Sequence, residues 1–177
     1  MSTLEVKGIQ APAGYRLTMP AGHILQTKTV TKTDTFVNTA SGDVDITGLS
    51  VTFDSNLAST SSKVLIMVNL SCGGTTLGNQ AIKLYRASTQ IGLGDAAGSA
   101  VRAMFEPSSR VYSGNEGWTA SGHFQDSPSS TTPQAYKLVV YRPDGTGPFY
   151  INRSTSGAET TDDARSISSI TIMEVAG

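Results

Sequence analysis

The stretch Val64-Leu65-Ile66-Met67-Val68 is apolar at every position. Successive side chains of a β-strand point to opposite faces of the sheet, so this strand presents apolar side chains to both faces. A strand with one face in water alternates apolar and polar residues instead. We therefore expect residues 64–68 to lie at the centre of a sheet or in an interface between chains.

Outward from this segment, the pattern is one of short strands separated by turns. Residues 26–37 are polar and Thr-rich, which suits an exposed or edge strand, and residues 49–53 alternate as a half-buried strand does. Further strands are predicted at 82–85, 91–93, 118–125, 136–141, 149–151 and 170–173. Turn signals include Ser41-Gly42-Asp43 and Cys72-Gly73-Gly74. Residues 97–105 fit either a helical turn or a long loop. The sequence predicts an all-β, antiparallel β-sandwich that is jelly-roll-like.

Composition narrows the classes of function. The 177 residues carry a net charge of -1, and a binder of nucleic acid or of a membrane surface needs a basic surplus. No apolar run approaches the ~20 residues that span a bilayer, so we expect no membrane insertion. The single Cys72 excludes an intrachain disulfide framework and a cysteine-based zinc site.

The first 22 residues form a unit apart from the predicted sandwich of residues 23–177. Two short alternating segments flank the turn signal Pro12-Ala13-Gly14. Because an isolated two-stranded hairpin is marginal in water, we expect this segment to dock on another chain. The alternative is a start that frays or packs with the main domain. The docking residues we expect are Leu4, Val6, Ile9, Tyr15, Leu17 and Met19.

No residue pattern predicts catalysis, a cofactor or a metal. Residues 92–97 fit G-x-G-x-x-A, but no βαβ unit surrounds them, so a glycine-rich connection is the better interpretation. His23 and His123 have no helix-borne partner, and the setting of Cys72 favours a buried small hydrophobic residue. The acids at 43, 45, 162 and 163 lie in polar segments where turn roles are expected, with a calcium site as the competing interpretation.

Aromatic side chains are the candidates for surface binding. Tyr112 and Trp118 lie beside turns with small neighbours, and an exposed aromatic ring can stack on a sugar or anchor a partner. Ordinary core packing is the competing interpretation for each of them, as it is for Tyr141, Phe149 and Tyr150.

Seven blocks of the chain are informative as a set, although none of them is specific alone. They are residues 1–6, 19–26, 46–53, 61–66, 91–96, 149–154 and 169–175. Together these blocks, which cover nearly the whole chain, resemble small virion proteins of tailed, particularly aquatic, bacteriophages, which are described as tail-fibre-like or structural.

The resemblance implies a β-sandwich on the surface of the phage particle that assembles as a homotrimer, and it carries over no catalytic residue. Sheets that meet across a threefold axis would cover the outer face of residues 64–68, with Leu65 and Met67 in the interface. The N-terminal segment would attach the sandwich to another virion protein of the tail or capsid, and the outward part would bind a host surface glycan or protein. The alternatives are a head decoration, cement or capsid-fibre protein, a stand-alone carbohydrate-binding module, and a polysaccharide-degrading enzyme.

Overall fold

The computed structural model describes residues 19–74, 80–107, 117–143, 147–157, 161 and 163–177. Within these residues the chain forms ten β-strands and no helix. The strands are β1 (Ile24–Lys32), β2 (Phe36–Asn38), β3 (Gly42–Thr52), β4 (Lys63–Gly74), β5 (Ala81–Arg86), β6 (Thr89–Ile91), β7 (Trp118–Asp126), β8 (Ala135–Arg142), β9 (Phe149–Ile151) and β10 (Ser168–Val175). No helix suited to crossing a membrane occurs in the described ranges.

The larger sheet has six antiparallel strands with β4 at its centre. β4 pairs with β7 along one edge, and with β10 and then β9 along the other. Cys72 is in register with both Trp118 of β7 and Ile151 of β9, so β9 follows β10 end to end. Since β1 pairs with β10 and β2 with β9, the outer edge of this sheet is also built from two successive strands.

The smaller sheet has the strand order β3-β8-β5-β6 and is also antiparallel. Its register shifts between Asp45 and Ser50 of β3, which marks an irregularity in the edge strand. Gly48 lies within the shifted stretch at a φ of 85°, in the left-handed region that glycine adopts without steric cost.

The two sheets enclose one hydrophobic core, because the same cluster of buried residues draws on both. Ile66 and Ile172 of the larger sheet and Leu84 and Leu138 of the smaller sheet are fully buried in it. Burying a side chain of this kind stabilises the fold by about 1.5–3 kcal/mol relative to leaving it exposed. The architecture is a two-layer antiparallel β-sandwich, and the predicted fold class is confirmed.

Each strand predicted between residues 23 and 177 overlaps an observed strand. Residues 64–68 lie in the central strand of the larger sheet, and the Thr-rich segment begins with the edge strand β1, as expected. Residues 97–105 adopt the loop, one of the two forms left open. Its end is fixed by the smaller sheet, because the amide of Met104 donates to the carbonyl oxygen of Ile82 at 2.9 Å.

The turn predicted at Cys72-Gly73-Gly74 is wrong, because these residues are the last three of β4. Gly73 serves a close backbone approach instead of a turn. A Cβ built on Gly73 would overlap the carbonyl oxygen of Arg153, so the connection after β9 lies directly against the strand. A glycine can mark such an approach as well as a turn, and the sequence alone does not separate the two roles.

Replacing Gly73 with Ala tests this close approach. The added methyl would overlap backbone, so we expect the free energy of unfolding, measured by urea denaturation, to fall by about 1–3 kcal/mol. Gly94→Ala is the matched control, because nothing lies within 4 Å of the Cβ built there. The control should change stability by less than about 0.5 kcal/mol. Equal stability of the two variants would contradict the packing described for Gly73.

Candidate functional site on the outer face of the larger sheet

The outer face of β1, β10, β4 and β7 is the candidate functional surface. Because side chains alternate along each strand, the neighbours of the buried Val64, Ile66 and Val68 point away from the core. Three rows of four residues in register make up this surface, which we call the β4 face. It consists of Thr27, Met173, Leu65 and Gln125, then Thr29, Thr171, Met67 and His123, then Thr31, Ser169, Asn69 and Ser121.

The β4 face carries no Lys, Arg, Asp or Glu among its twelve residues. Half of them bear hydroxyl groups, and the hydroxyls of Thr29 and Thr171 are hydrogen-bonded to each other at 2.9 Å. The apolar members lie together across β4 and β10, and Met67 is 46% exposed while Leu65 and Met173 are half-buried. A hydroxyl group forms hydrogen bonds without carrying a charge. These hydroxyl groups therefore bring no charge to the face that would repel an identical surface.

A shallow depression of about 380 Å³ interrupts the β4 face. Met67, Asn69, Ser121, His123 and Thr171 line it. Its walls are small polar side chains around one exposed thioether, so it can receive a protruding side chain of a partner. His123 is exposed here.

The outer face of the smaller sheet has the opposite chemistry. Lys83 Nζ contacts both carboxylate oxygens of Asp43 at 2.7 and 3.0 Å, and Lys137 Nζ contacts Asp45 at 2.7 Å. The ammonium of Lys83 also lies 4.7 Å from the centroid of the Tyr141 ring. Charged side chains keep this face in water, so the two outer faces of the sandwich differ in kind.

The turn positions expected for Asp43 and Asp45 are therefore wrong, although both acids have structural roles at the surface. Both residues lie on β3, where they pair across the sheet with lysines of β5 and β8. The sequence could not show this pairing because the partners are 40 and 92 residues away. Exposed pairs of this kind contribute about 0–1 kcal/mol each, and they occupy the carboxylates.

A buried cluster joins the two sheets. The Asp126 carboxylate on β7 accepts two hydrogen bonds from Arg86 Nη1, at 2.9 and 2.7 Å, and one from the Tyr136 hydroxyl at 2.9 Å. Burial, helped by the negative charge of Asp126, raises the pKa of Tyr136 far above its usual value of 10.0. The negative charge of Asp126 is thus paired with Arg86 and hydrogen-bonded to Tyr136, and the cluster has a structural role in joining the two sheets.

Cys72 is fully buried, and burial raises the pKa of its thiol to about 12. It therefore stays a thiol at neutral pH, which confirms the predicted hydrophobic role. Among the residues that the structure describes, no three His, Cys, Asp or Glu side chains come together as metal ligands would.

The predicted binding residues divide between the described and undescribed parts of the chain. Leu4, Val6, Ile9, Tyr15, Leu17 and Tyr112 lie outside the described residues, and Met19 is half-buried. Leu65 and Met67 lie on the β4 face, as the interface prediction requires. Trp118 is half-buried and packs against the core, with its Cη2 atom next to Gly74, which favours the core interpretation of this residue.

Sequence reasoning missed most of the β4 face. The alternating Thr27, Thr29 and Thr31 gave a signal of a polar edge strand, but nothing showed which strands would stand beside it. His123 and Met67 are 56 positions apart in the sequence, and only the register of β4 with β7 makes them neighbours.

No protein-family model and no curated protein matches this chain. Among the solved structures that this chain is similar to are structures of infectious bursal disease virus. The Gx strain structure matches with 14% identity and a TM-score of 0.39, covering 97% of this chain and 43% of that chain. T=1 particles derived from the virus match with 12% identity and a TM-score of 0.40, covering 97% and 41%. This chain therefore spans less than half of the viral chains it matches.

The Tyr136 hydroxyl predicts a pH dependence of stability. The folded Tyr136 keeps its proton at a pH where the unfolded chain releases it, so the unfolded state binds fewer protons above about pH 10. Stability is unaffected by this group below pH 10 and falls as the pH rises beyond it. We expect chemical denaturation of wild type between pH 8 and 11.5 to show this fall and Tyr136→Phe to show a shallower one. Parallel curves for the two proteins would contradict the assignment.

Proposed function

We propose that this chain is a non-enzymatic structural protein of a bacteriophage virion, of the tail-fibre-like or surface-adhesin type. It assembles as a homotrimer through the β4 face, with Leu65 and Met67 at the contact. Its N-terminal segment, residues 1–22, attaches it to another virion protein of the tail or capsid, and the sandwich faces outward on the particle surface. The observation that carries the proposal is the uncharged β4 face with its exposed methionine.

Contact between identical copies suits the β4 face better than contact with water. The core of an interface is depleted in charged residues and enriched in methionine, and the β4 face has both properties. Three copies that turn this face toward a common axis would bring together no lysine, arginine, aspartate or glutamate from its twelve residues, and Lys63 lies at its border. The lysines and aspartates of the smaller sheet would then point outward, where they keep the assembly soluble.

The point at which residues 1–22 join the sandwich supports an attachment role. The amide of Gly22 donates to the carbonyl oxygen of Ala176, and the amide of Ala176 donates to the carbonyl oxygen of His23, each at 2.8 Å. The N-terminal segment therefore joins the sandwich at the end of the larger sheet where β10 finishes. An anchor at this end leaves the opposite end of the sandwich pointing away from the particle.

A non-enzymatic role is supported by the state of the acids. The carboxylates of Asp43, Asp45 and Asp126 are held by lysine or arginine side chains in the described structure. Acid–base catalysis needs a carboxyl group beside its reacting partner with a tuned pKa, and these carboxylates are committed to ion pairs instead.

Oligomeric state tests the proposal directly. The mass of one chain is 18.5 kDa. We expect multi-angle light scattering to give three times this mass for the wild type at micromolar concentration. Met67→Glu places three carboxylates at the contact, so the concentration at which the trimer dissociates should rise at least tenfold. Leu93→Glu is the matched control, because Leu93 is 39% exposed but lies outside the sheets, and it should leave the trimer intact.

A monomeric wild type throughout the micromolar range would overturn the trimer. A trimer that Met67→Glu leaves unchanged would overturn its placement on the β4 face. A head decoration or cement protein would use the same sandwich with a different face buried. Imaging of intact particles separates the two, because the proposal requires the smaller sheet's outer face to be free of other virion chains.

A further inference from the structure

A second cleft lies at the end of the larger sheet opposite the one where Gly22 contacts Ala176. Ser71 of β4, Thr119 of β7, and Arg153, Ser154 and Ser166 of the connection between β9 and β10 line it, around a volume of about 250 Å³. Ser71 follows Met67 by four residues, so the cleft begins about 13 Å along β4 from the proposed trimer contact.

Arg153 brings a positive charge to this cleft. Its guanidinium carbon lies 4.7 Å from the centroid of the Tyr150 ring, and its Nε donates to the carbonyl oxygen of Ser154 at 3.2 Å. Within the described ranges, neither Nη atom of Arg153 donates a hydrogen bond to protein, and no carboxylate lies within 4.0 Å of the guanidinium. The ring contact and the Nε bond fix the guanidinium plane, so its outer N–H groups are ready to receive an oxyanion.

Asn152, the residue before Arg153, fixes the position of the backbone from which the Arg153 side chain extends. Asn152 is fully buried with a φ of 62°, and its amide donates to the carbonyl oxygen of Ser71 at 2.9 Å. Its Nδ2 donates to the carbonyl oxygens of Lys32 and Asp34, each at 2.9 Å, and its Oδ1 accepts from Ser168 Oγ at 2.7 Å. Every polar group of the Asn152 side chain is therefore used to hold the connection onto the sheet.

We propose that this cleft binds a carboxylate-bearing sugar, with Arg153 holding the carboxylate and the hydroxyls of Ser71, Thr119 and Ser166 facing the sugar hydroxyls. An arginine pairs with a carboxylate through two parallel hydrogen bonds, and a serine or threonine hydroxyl can both donate to and accept from a sugar hydroxyl. The volume is below the range of roughly 300–1,000 Å³ typical of drug-sized ligands, so it takes one residue of a longer chain. The proposal goes beyond the trimer and does not depend on it.

Isothermal titration of the full chain with tetragalacturonic acid tests the cleft, with the neutral galactotetraose as the comparison ligand. We expect the acidic tetrasaccharide to bind at least tenfold more tightly than the neutral one. Arg153→Gln should weaken binding of the acidic ligand at least tenfold, and Thr119→Val should weaken it by a smaller factor. Arg102→Gln is the matched control, because the Nε of Arg102 likewise donates to a backbone carbonyl while Arg102 itself is exposed and outside the cleft, and it should bind as the wild type does.

Three results would overturn the inference. The first is that the acidic and neutral tetrasaccharides bind with equal affinity, or that neither binds. The second is that Arg153→Gln binds the acidic ligand as tightly as the wild type does. The third is that Arg102→Gln loses as much affinity as Arg153→Gln. Circular dichroism of each variant separates a lost contact from a lost fold. Amide NMR spectra recorded during titration with the acidic ligand show where it binds. The proposal requires shifts at Thr119 and Ser166, and non-specific attraction to the net charge of the protein would not localise them there.

Discussion

β4 is hydrogen-bonded along both of its edges, and this double pairing determines what each face of the larger sheet can be. The strand has no free edge over residues 64–69, so its interactions with anything outside the sheet pass through its side chains. Val64, Ile66 and Val68 fill the core on one side. The other side is left to Leu65, Met67 and Asn69, and their neighbours on β10 and β7 complete the β4 face.

Charge is distributed between the two outer faces in a way that a lone sandwich in water does not require. The smaller sheet carries paired lysines and aspartates, while the twelve residues of the β4 face carry none. Hydroxyl groups keep the β4 face wettable without giving it a sign of charge. A surface of this composition tolerates both water and an identical copy, which is what the proposed trimer requires of it before and after assembly.

The sequence predicted local features well because alternation and apolar runs report on a strand and its immediate environment. Residues 64–68 lie at the centre of a sheet, one of the two positions that their pattern predicts, and the Thr-rich segment begins with an edge strand, as its pattern predicts. Register between distant strands is not encoded locally, so the pairing of Asp43 with Lys83 and the contact of Met67 with His123 could not be predicted. Gly73 was misread because a glycine required by an approaching backbone has the same local signal as a glycine in a turn.

The cleft lined by Ser71 and Arg153 shows how an irregular connection can hold a side chain in place. β9 and β10 pair with successive parts of the same edge of β4, and the connection between them runs from Asn152 to the start of β10 at Ser168. A residue at positive φ costs roughly 1–3 kcal/mol and persists only where surrounding contacts hold it, as the hydrogen bonds of Asn152 do. That cost is concentrated next to Arg153, the cation for which the described structure provides no carboxylate. A buried, fully hydrogen-bonded asparagine is thus followed directly by an arginine that has no carboxylate partner among the described residues. This arrangement is expected where a scaffold fixes a side chain for a ligand and not for its own stability.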